Sequence, residues 1–257
     1  MKKTAAQKRS NRRRRRRRGS GVFVTLLCTV VIMAAVLTAM TVFFKVRTVS
    51  VTGQSRYSAE EIAQASGIVS GQNMFFFNKF SAVSRIFAAC PYLDTITMRR
   101  KLPDEIAITV TECVPVAAVE SGGSYFIIDA NAKLLEKTDA AGSAQYCIIR
   151  GAELKDPEVG KSADFTDSQK KKPLQTILNT AQKSDILNEI KEIDLEKIFE
   201  IKLAYSERFT VYLGTVEQLE KKVRFLGVCI ADLGPEERGI IDVSDPQRAS
   251  FRPYADE

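Results

Sequence analysis

The tetrapeptide Ser168-Gln169-Lys170-Lys171 has the spacing of the S-x-x-K motif, in which a lysine assists a nucleophilic serine in penicillin-binding proteins and β-lactamases. Those enzymes carry two companion motifs, S-D-N and K-T-G. Here the nearest approximations are Ser244-Asp245-Pro246 and Lys137-Thr138-Asp139, and neither of them matches. The tetrapeptide also lies in a polar stretch, where a nucleophile would be held poorly. We therefore interpret the match as a coincidence.

Histidine is absent from all 257 residues, which excludes His-based triads, Cys–His catalytic pairs and the usual zinc ligand sets. The 31 Asp and Glu residues guarantee some neighbouring carboxylates, but none stands in a context that would shift its pKa recognisably. The 14 glycines are dispersed at turns and form no phosphate-cradling loop. The sequence therefore predicts a protein that is not an enzyme and that binds no cofactor, metal or small-molecule substrate.

Cysteine is the remaining residue type with reactive chemistry of its own. Cys28 lies in an apolar stretch, and Cys90, Cys113, Cys147 and Cys229 are scattered without C-x-x-C spacing. Two disulfides among the last four are possible. Buried free thiols are the simpler interpretation, because free cysteine is among the residues most often buried in protein cores.

Seven arginines precede a long apolar stretch, Val22–Phe44, which contains 23 uncharged residues. A helix of this length reaches about 34 Å, enough for a hydrocarbon core of about 30 Å. Eleven Lys and Arg residues stand before the stretch, whereas only Lys45 and Arg47 follow closely. The positive-inside rule therefore predicts a single-pass plasma-membrane protein with a cytoplasmic N-terminus and an extracytoplasmic C-terminal body. The predicted topogenic residues are Arg12, Arg13, Arg14, Arg15, Arg16, Arg17 and Arg18.

This basic arm dominates the charge of the chain. Removing its eleven charges from the 38 Lys and Arg leaves 27 against 31 Asp and Glu, so the net charge of +7 does not indicate a nucleic-acid-binding domain. RNA binding or nuclear import is an alternative use of such a run, but beside an apolar stretch attraction to anionic lipid is simpler. Cleavage as a signal peptide is a second alternative, although the apolar stretch is longer than the usual length of about 7–15 residues and lacks a clean small-x-small cleavage site.

The first external module, residues 45–115, is predicted to have the element order β-α-α-β-β. A strand pattern over Val46–Thr52 precedes a helix with Ser58 as N-cap and Glu61 completing a capping box. Two alternating strands follow the second helix and flank a turn at Leu102–Glu105. The apolar side of that second helix is expected to carry Phe80, Val83, Ile86 and Phe87.

The second external module, residues 116–253, is predicted to be a mixed, mostly antiparallel β domain with helices. A polar stretch, Asp156–Gln169, is expected to be a loop before a helix that begins at Pro173. The last helix is expected to begin with a capping box between Thr215 and Gln218. The basic pair of this helix, Lys221 and Lys222, is expected on a solvated face. After the helix the module is expected to end in two short extended segments, Gly239–Val243 and Ala249–Pro253.

Parts of the first module resemble a POTRA domain. These parts are Val51-Thr52-Gly53, the Ser58-capped helix, the aromatic run Phe75–Phe77 and the segment Glu112–Ala117. The segment Glu112–Ala117 is the more specific of them, because it reads acidic, two residues, proline and small apolar residues. With an apolar stretch directly in front, the chain is similar to the FtsQ/DivIB family of bacterial cell-division proteins.

The second module strengthens that resemblance. Val211–Gly214, Ile241-Asp242-Val243 and Phe251-Arg252-Pro253 are similar in order and spacing to the β domain of the FtsQ/DivIB family. One departure is Ala132, where relatives often have glycine, and this leaves the type of that turn open. The resemblance covers roughly residues 22–253 and implies an α+β protein with an N-terminal transmembrane helix, a POTRA domain and a β domain.

The resemblance also implies a function. It suggests a non-catalytic scaffold of the divisome, enriched at the division septum, that binds FtsB/DivIC-like and FtsL-like single-pass coiled-coil proteins and links them to septal peptidoglycan synthesis. An alternative is a POTRA-containing secretion or surface-assembly accessory, and a less favoured one is a wall-modifying enzyme. The expected division of the chain is a basic tail (1–21), a transmembrane helix (22–44), the POTRA domain (45–115), the β domain (116–253) and a C-terminal tail (254–257).

A physical mechanism for partner binding follows from the C-terminal strands. A β module that ends in a short strand leaves unpaired N–H and C=O groups at its edge, to which an extended partner segment can add. Phe251 and Arg252 have the anchor character that interface hot spots favour, although Phe251 could instead fill the core of its own domain. The candidate partner-binding residues are Ile241, Asp242, Ala249, Ser250, Phe251, Arg252 and Pro253.

Overall fold

The computed structural model describes residues 6–254, with side chains described for residues 21–254. Helix α1 spans Ala6–Phe43, and its segment Gly21–Phe43 is long and apolar enough to cross a membrane. Residues 1–5 of the predicted basic tail and 255–257 of the predicted C-terminal tail lie outside the described residues. The side chains of the predicted topogenic run, Arg12–Arg18, lie outside them as well.

A three-stranded sheet and two helices follow α1, in the predicted order β-α-α-β-β. The central strand β3 pairs in parallel with β1 and antiparallel with β2. Buried side chains from both helices and all three strands form one core, together with residues between the elements. The elements are β1 (Thr48–Thr52), α2 (Ala59–Ser66), α3 (Lys79–Ala89), β2 (Leu93–Lys101) and β3 (Glu105–Glu112).

The sequence signals for α2 are confirmed. The Ser58 hydroxyl accepts the Glu61 N–H at 3.1 Å, and the Glu61 carboxylate accepts the Ser58 N–H at 2.7 Å, which is the predicted capping box. The helix ends at Gly67, whose φ of 64° is the left-handed C-cap conformation that glycine adopts without steric cost. Local hydrogen bonds therefore define both ends of this helix.

The expected apolar side of α3 is correct only in part. Ala82 and Ile86 are buried and Val83 and Phe87 are half-buried, but Phe80 is 85% exposed. Phe80 and Ile86 are six residues apart, and at about 100° per residue their side chains lie about 120° apart around the helix. Phe80 therefore cannot lie on the same buried side of the helix as Ile86. The prediction that Phe80 faces the core is therefore wrong.

A nine-stranded sheet occupies most of the remaining chain, in the order β12-β11-β10-β9-β8-β7-β4-β5-β6. Five of its strand pairs are antiparallel and three are parallel, which confirms a mixed and mostly antiparallel domain. Its strands are β4 (Pro115–Ser121), β5 (Ser124–Asp129), β6 (Leu134–Thr138), β7 (Cys147–Arg150), β8 (Ile190–Asp194), β9 (Ile201–Tyr205), β10 (Phe209–Gly214), β11 (Gly239–Asp245) and β12 (Arg248–Pro253).

Three helices belong to this second unit: α4 (Ala140–Ser143), α5 (Lys171–Lys183) and α6 (Leu219–Asp232). Helices α5 and α6 contact each other and share the large hydrophobic core with the sheet. The core packs helix residues such as Ile177 and Val223 with strand residues such as Leu203 and Val211. Burying each of these aliphatic side chains contributes about 1.5 to 3 kcal/mol, so helices and sheet hold each other in place.

The polar stretch Asp156–Gln169 contains no helix or strand before Ser168, as expected of a loop, yet it packs closely on the sheet. Ala163 and Phe165 are buried in the core. The Gly160 N–H donates to the Leu134 carbonyl at 2.7 Å, and the Leu134 N–H donates to the Lys161 carbonyl at 2.8 Å. The loop therefore covers the first part of β6, one of the two outer strands of the sheet.

The start of α6 differs from the expected one. The helix begins at Leu219, and Gln218 takes a left-handed conformation with φ 50° and no side-chain cap, so the predicted Thr215–Gln218 capping box is wrong. The chain before the helix bends back over Lys222, whose side chain is 2% exposed rather than solvated. Its Nζ donates to the carbonyls of Leu213 and Thr215 at 3.0 and 2.9 Å, whereas Lys221 is exposed as expected.

Candidate partner-binding edge

Strand β12 forms one edge of the nine-stranded sheet. Within residues 6–254 it pairs with β11 on one side and with no strand on the other. The opposite edge, β6, is partly covered by the loop that contains Gly160 and Lys161. Exposed strand edges present rows of N–H and C=O groups to which another chain can pair. The C-terminal strand is therefore the more accessible of the two edges.

The hydrogen-bond pattern identifies which backbone groups of β12 face outward. The Gly239 N–H donates to the Arg208 carbonyl at 3.0 Å, so Gly239 directs its backbone groups toward β10. Successive residues of a strand direct their N–H and C=O groups to opposite sides, so Ile240 and Asp242 direct theirs toward β12. Their partners in register are Arg252 and Ser250, which therefore bond inward. The N–H and C=O of the alternate residues, Ala249 and Phe251, point away from β11.

The side chains of β12 divide between two faces of the sheet. Ala249 and Phe251 pack against the core, and the Phe251 ring lies 6.1 Å from that of Phe209 in an edge-to-face arrangement. Ser250 and Arg252 are exposed on the opposite face. Phe251 therefore fills the core of its own domain in part, and Arg252 is the more available contact for a second chain.

The end of β12 is held in place by Tyr254. Its N–H donates to the Arg238 carbonyl at 3.1 Å, and its hydroxyl lies 2.8 Å from the Thr210 hydroxyl. The Arg208 guanidinium bonds the carbonyls of Gly234 and Glu237, which fixes the turn before β11. These contacts order the strand before any partner arrives, and a pre-ordered strand loses less entropy on binding.

The remaining predicted site residues lie one strand further inside. Ile241 and Asp242 are on β11, which is flanked by β10 and β12 and so offers no open backbone pairing. Ile241 is 1% exposed, and the Asp242 carboxylate accepts hydrogen bonds from the N–H and hydroxyl of Ser244. The geometry thus brings Ala249–Pro253 to the edge and leaves Ile241 and Asp242 in a supporting strand.

The coincidental S-x-x-K match has unsuitable geometry for catalysis. Ser168 is exposed on a short 3₁₀ turn, and the Lys171 Nζ lies 3.4 Å from the Asp164 carboxylate. The Lys171 ammonium is thus engaged by the Asp164 carboxylate. The arrangement gives no support to a serine nucleophile at this position.

One group of potential metal ligands, Asp94, Cys113 and Asp129, lies between the two sheets. The Lys133 Nζ is 3.9 Å from the Cys113 sulfur, and burial raises the pKa of Cys113 to about 11. The Asp129 carboxylate already accepts the backbone N–H groups of Asn131 and Lys133 at 2.9 and 2.8 Å. The Lys133 ammonium beside the thiol and the two N–H groups bonded to the Asp129 carboxylate already engage these groups, so the residues fit a structural contact better. The five cysteines are free thiols in the described chain.

The sequence patterns did not predict the contact between the two sheets. The Arg56 guanidinium stacks 3.7 Å from the centre of the Tyr92 ring, and the Tyr92 hydroxyl donates to the Glu136 carboxylate at 2.8 Å. Burial and this hydrogen bond raise the pKa of Tyr92. These residues are far apart in sequence, so no local spacing could have indicated them.

The fold defines a class of protein: a chain with an N-terminal apolar helix long enough to cross a membrane, a POTRA domain and a C-terminal β domain. Residues 44–112 match the model of the FtsQ-type POTRA domain. The chain is 28% identical over 203 residues to the cell division protein DivIB of Clostridium acetobutylicum, covering 79% of this chain and 80% of the relative. It is 24% identical over 229 residues to the cell division protein FtsQ of Corynebacterium glutamicum, covering 87% and 95%.

Over most of its length the chain is therefore similar to the DivIB and FtsQ cell division proteins, and its residues 44–112 form an FtsQ-type POTRA domain. The solved extracytoplasmic domain of DivIB from Geobacillus stearothermophilus also aligns, with 16% identity, a TM-score of 0.31 and coverage of 48% of this chain and 95% of that domain.

Proposed function

We propose that this protein is a non-catalytic divisome scaffold that captures a partner by strand addition at β12. The observation that carries the proposal is the outward N–H and C=O of Ala249 and Phe251 on an edge strand that is otherwise firmly packed. Each backbone hydrogen bond gained would contribute about 0.5 to 1.5 kcal/mol, and side chains would add selectivity.

The exposed face of β12 suits a partner with acidic or hydrogen-bonding side chains. Arg252 and Ser250 point to solvent beside the open backbone groups, and an arginine fork can bind a carboxylate through two hydrogen bonds. Pro253 has no N–H to donate, so continuous pairing would stop there. An added strand would therefore pair mainly with the stretch from Ala249 to Arg252.

The partners that the family resemblance implies are FtsB/DivIC-like and FtsL-like single-pass coiled-coil proteins. Through them the protein would be linked to septal peptidoglycan synthesis and enriched at the division septum. The relatives named above are cell division proteins, which supports the division role. Under this proposal the protein itself catalyses no reaction.

The membrane topology belongs to the same proposal. The apolar segment Gly21–Phe43 would cross the plasma membrane once, with Arg12–Arg18 on the cytoplasmic side and both folded units outside. A partner with its own single span would then meet β12 on the outer face of the same membrane. Because both proteins would be confined to the same membrane surface, their effective concentration relative to each other would be raised.

The proposal is tested with a photo-crosslinking amino acid placed in the full-length protein at Arg252 and, as a control, at Lys137. Both are exposed basic residues on outer strands, β12 and β6 respectively. After irradiation of dividing cells, we expect the Arg252 position to yield a crosslink to an FtsB/DivIC-like protein and the Lys137 position to yield none. Crosslinking of that partner at Lys137 but not at Arg252 would refute the edge assignment. Recovery of a β-barrel partner instead would favour a secretion accessory.

A further inference from the structure

The POTRA module carries an unusual exposed apolar surface. Within residues 44–112 the large hydrophobic side chains classed as exposed are those of five residues, with relative exposures from 38% to 85%. Scattered exposed apolar residues are normal in a soluble domain, but a contiguous group indicates an interaction site. The five residues, called the apolar patch below, are Val69, Phe75, Phe76, Phe80 and Leu102.

The segment around Phe75 is bonded to the end of helix α1. The Asn73 side-chain amide donates to the Met40 carbonyl at 2.8 Å, and the Met74 N–H donates to the Phe44 carbonyl at 2.9 Å. The rings of Phe44 and Phe75 pack edge to face with centroids 5.3 Å apart. The patch therefore begins where the membrane-spanning segment ends.

The β2–β3 turn brings Leu102 to the same end of the module. The Arg47 N–H donates to the Asp104 carbonyl at 2.8 Å, which ties the turn to the residues just after α1. The Arg100 guanidinium donates to the Met74 carbonyl at 2.6 Å, which ties the base of the turn to the segment around Phe75. Two separate parts of the chain thus bring exposed apolar side chains to the end of the module nearest α1.

The depth of the patch follows from helix geometry. Met40 is in the last turn of the span and its carbonyl points toward the C-terminal end of the helix, so the Asn73 amide that donates to it lies close to the end of the span. Phe76 is three residues from Asn73 and can be at most about 11 Å away. A side chain in this range would lie at the boundary between headgroups and acyl chains, where interfacial segments bury their apolar side by about 5 to 10 Å.

The charge around the patch also suits a lipid surface. From Lys45 to Leu93 the sequence contains five Lys and Arg but only two acidic residues, Glu60 and Glu61. Both acids are in the first turn of α2, whereas the chain just beyond the end of that helix bonds to Val46 beside the span. The exposed Lys79 adjoins Phe80 within the patch. Anionic headgroups would therefore meet attraction and little repulsion at this end.

We propose that the POTRA module rests on the bilayer through the apolar patch, with Phe76 and Phe80 inserted among phospholipid headgroups. The inference requires only that α1 crosses the membrane, and it is independent of what binds β12. Such a contact would help to fix the orientation of the module relative to the bilayer, in addition to its hydrogen bonds to the end of α1. It adds a second membrane-binding element to the single span.

The chain contains no tryptophan, so one introduced tryptophan reports a single position. The probes are Phe76→Trp and Phe80→Trp in the full-length protein, placed in bilayers of phosphatidylcholine with and without brominated acyl chains. The matched control is Phe199→Trp, because Phe199 is 66% exposed, close to the 72% of Phe76, but belongs to the β domain. Leu37→Trp, within the span, reports whether α1 is inserted.

We expect bromolipid to quench emission from Phe76→Trp and Phe80→Trp by at least half, with a blue-shifted spectrum, and to leave Phe199→Trp within about 10% of its unquenched intensity. Adding phosphatidylglycerol should deepen quenching at both patch positions. Quenching of Leu37→Trp together with water-like, unquenched emission at the two patch positions would overturn the inference and leave the anchor intact. Loss of quenching at Leu37→Trp would instead contradict the membrane span itself.

Discussion

Ala132 occupies a backbone conformation that glycine adopts more easily. Its φ is 61° in the turn after β5, where family resemblance already pointed to glycine, and its methyl group is fully buried. A non-glycine residue in the left-handed region costs about 1 to 3 kcal/mol, while the buried methyl returns about 0.8 kcal/mol. The strain and the burial therefore largely offset each other.

We predict that Ala132→Gly changes the free energy of unfolding by less than about 1 kcal/mol, because strain relief compensates for the lost methyl. The matched control is Ala181→Gly, since Ala181 is equally buried but lies inside α5. That substitution should destabilise by about 1 to 2 kcal/mol through helix propensity and lost packing. Denaturant unfolding of both variants measures the difference, and equal losses would contradict the account of the turn.

Lys222 is a buried lysine with a structural role. Its ammonium group satisfies the carbonyls of Leu213 and Thr215 at the end of β10, and burial lowers its pKa. The folded state therefore holds this proton less tightly than the unfolded state does. Its contribution to stability consequently rises with pH from the lowered folded pKa up to about 10.5.

We predict that Lys222→Met destabilises the protein by about 1 to 3 kcal/mol, because it leaves the buried Leu213 carbonyl and the part-buried Thr215 carbonyl without their donor. Lys221→Met, one residue earlier on the exposed face, should change stability by less than about 0.5 kcal/mol. Thermal or denaturant unfolding at neutral pH distinguishes the two. If Lys221→Met lowered the free energy of unfolding as much as Lys222→Met, the basic pair would act through surface charge and not through the hydrogen bonds of Lys222.

At the scale of elements, the ability of β12 to pair with a second chain depends on which of its backbone N–H groups point away from β11. Ala249→Pro would remove an outward N–H and keep Phe251 in the core, and proline is tolerated on the open side of edge strands. We predict that this variant loses partner capture at least tenfold while its stability falls by less than about 1 kcal/mol. Pull-down of the partner and unfolding measurements check the two parts of the prediction.

The control for that variant is Ser250→Pro, which removes the inward N–H that pairs with Asp242. It should destabilise the domain by more than about 1 kcal/mol, because it removes a ladder hydrogen bond. Retained partner capture by Ala249→Pro, with the fold intact, would contradict strand addition at this edge.

Elements with strong local signals were predictable from sequence. The capping box of α2 and the β2–β3 hairpin both depend on neighbouring residues, and both are confirmed. Strand β8 was not predicted, because the charged residues in Ile190–Asp194 obscure its alternation. The start of α6 was missed because Gln218 takes a left-handed conformation that the sequence does not signal.

The candidate site was only partly predictable for a related reason. The sequence indicated that Ala249–Pro253 is extended, and β12 is indeed a strand. Whether a strand is an edge or an interior one depends on the order of all nine strands, which no local pattern encodes. Ile241 and Asp242 were therefore grouped with the edge residues although β11 lies one strand inside.

At the scale of the whole molecule, contacts between successive parts of the chain set the position of the candidate edge, β12. Residues at the end of α1 bond to the POTRA module through Asn73, and the proposed apolar patch would rest that module on lipid. The module then contacts the nine-stranded sheet through Tyr92, whose hydroxyl bonds Glu136, and through the Lys133 ammonium, which bonds the Leu93 carbonyl. This chain of contacts would present β12 at a defined orientation outside the membrane.

The most direct test of strand addition is amide hydrogen exchange along β12, resolved to single residues, in the full-length protein with and without its co-purified partner. In the free protein we expect Ala249 and Phe251 to exchange fast and Ser250 and Arg252 to be protected by β11. With the partner bound, Ala249 and Phe251 should become protected, at least tenfold slower, while Ser250 and Arg252 change little. Unchanged exchange at Phe251 in a complex that forms fully would contradict the central claim.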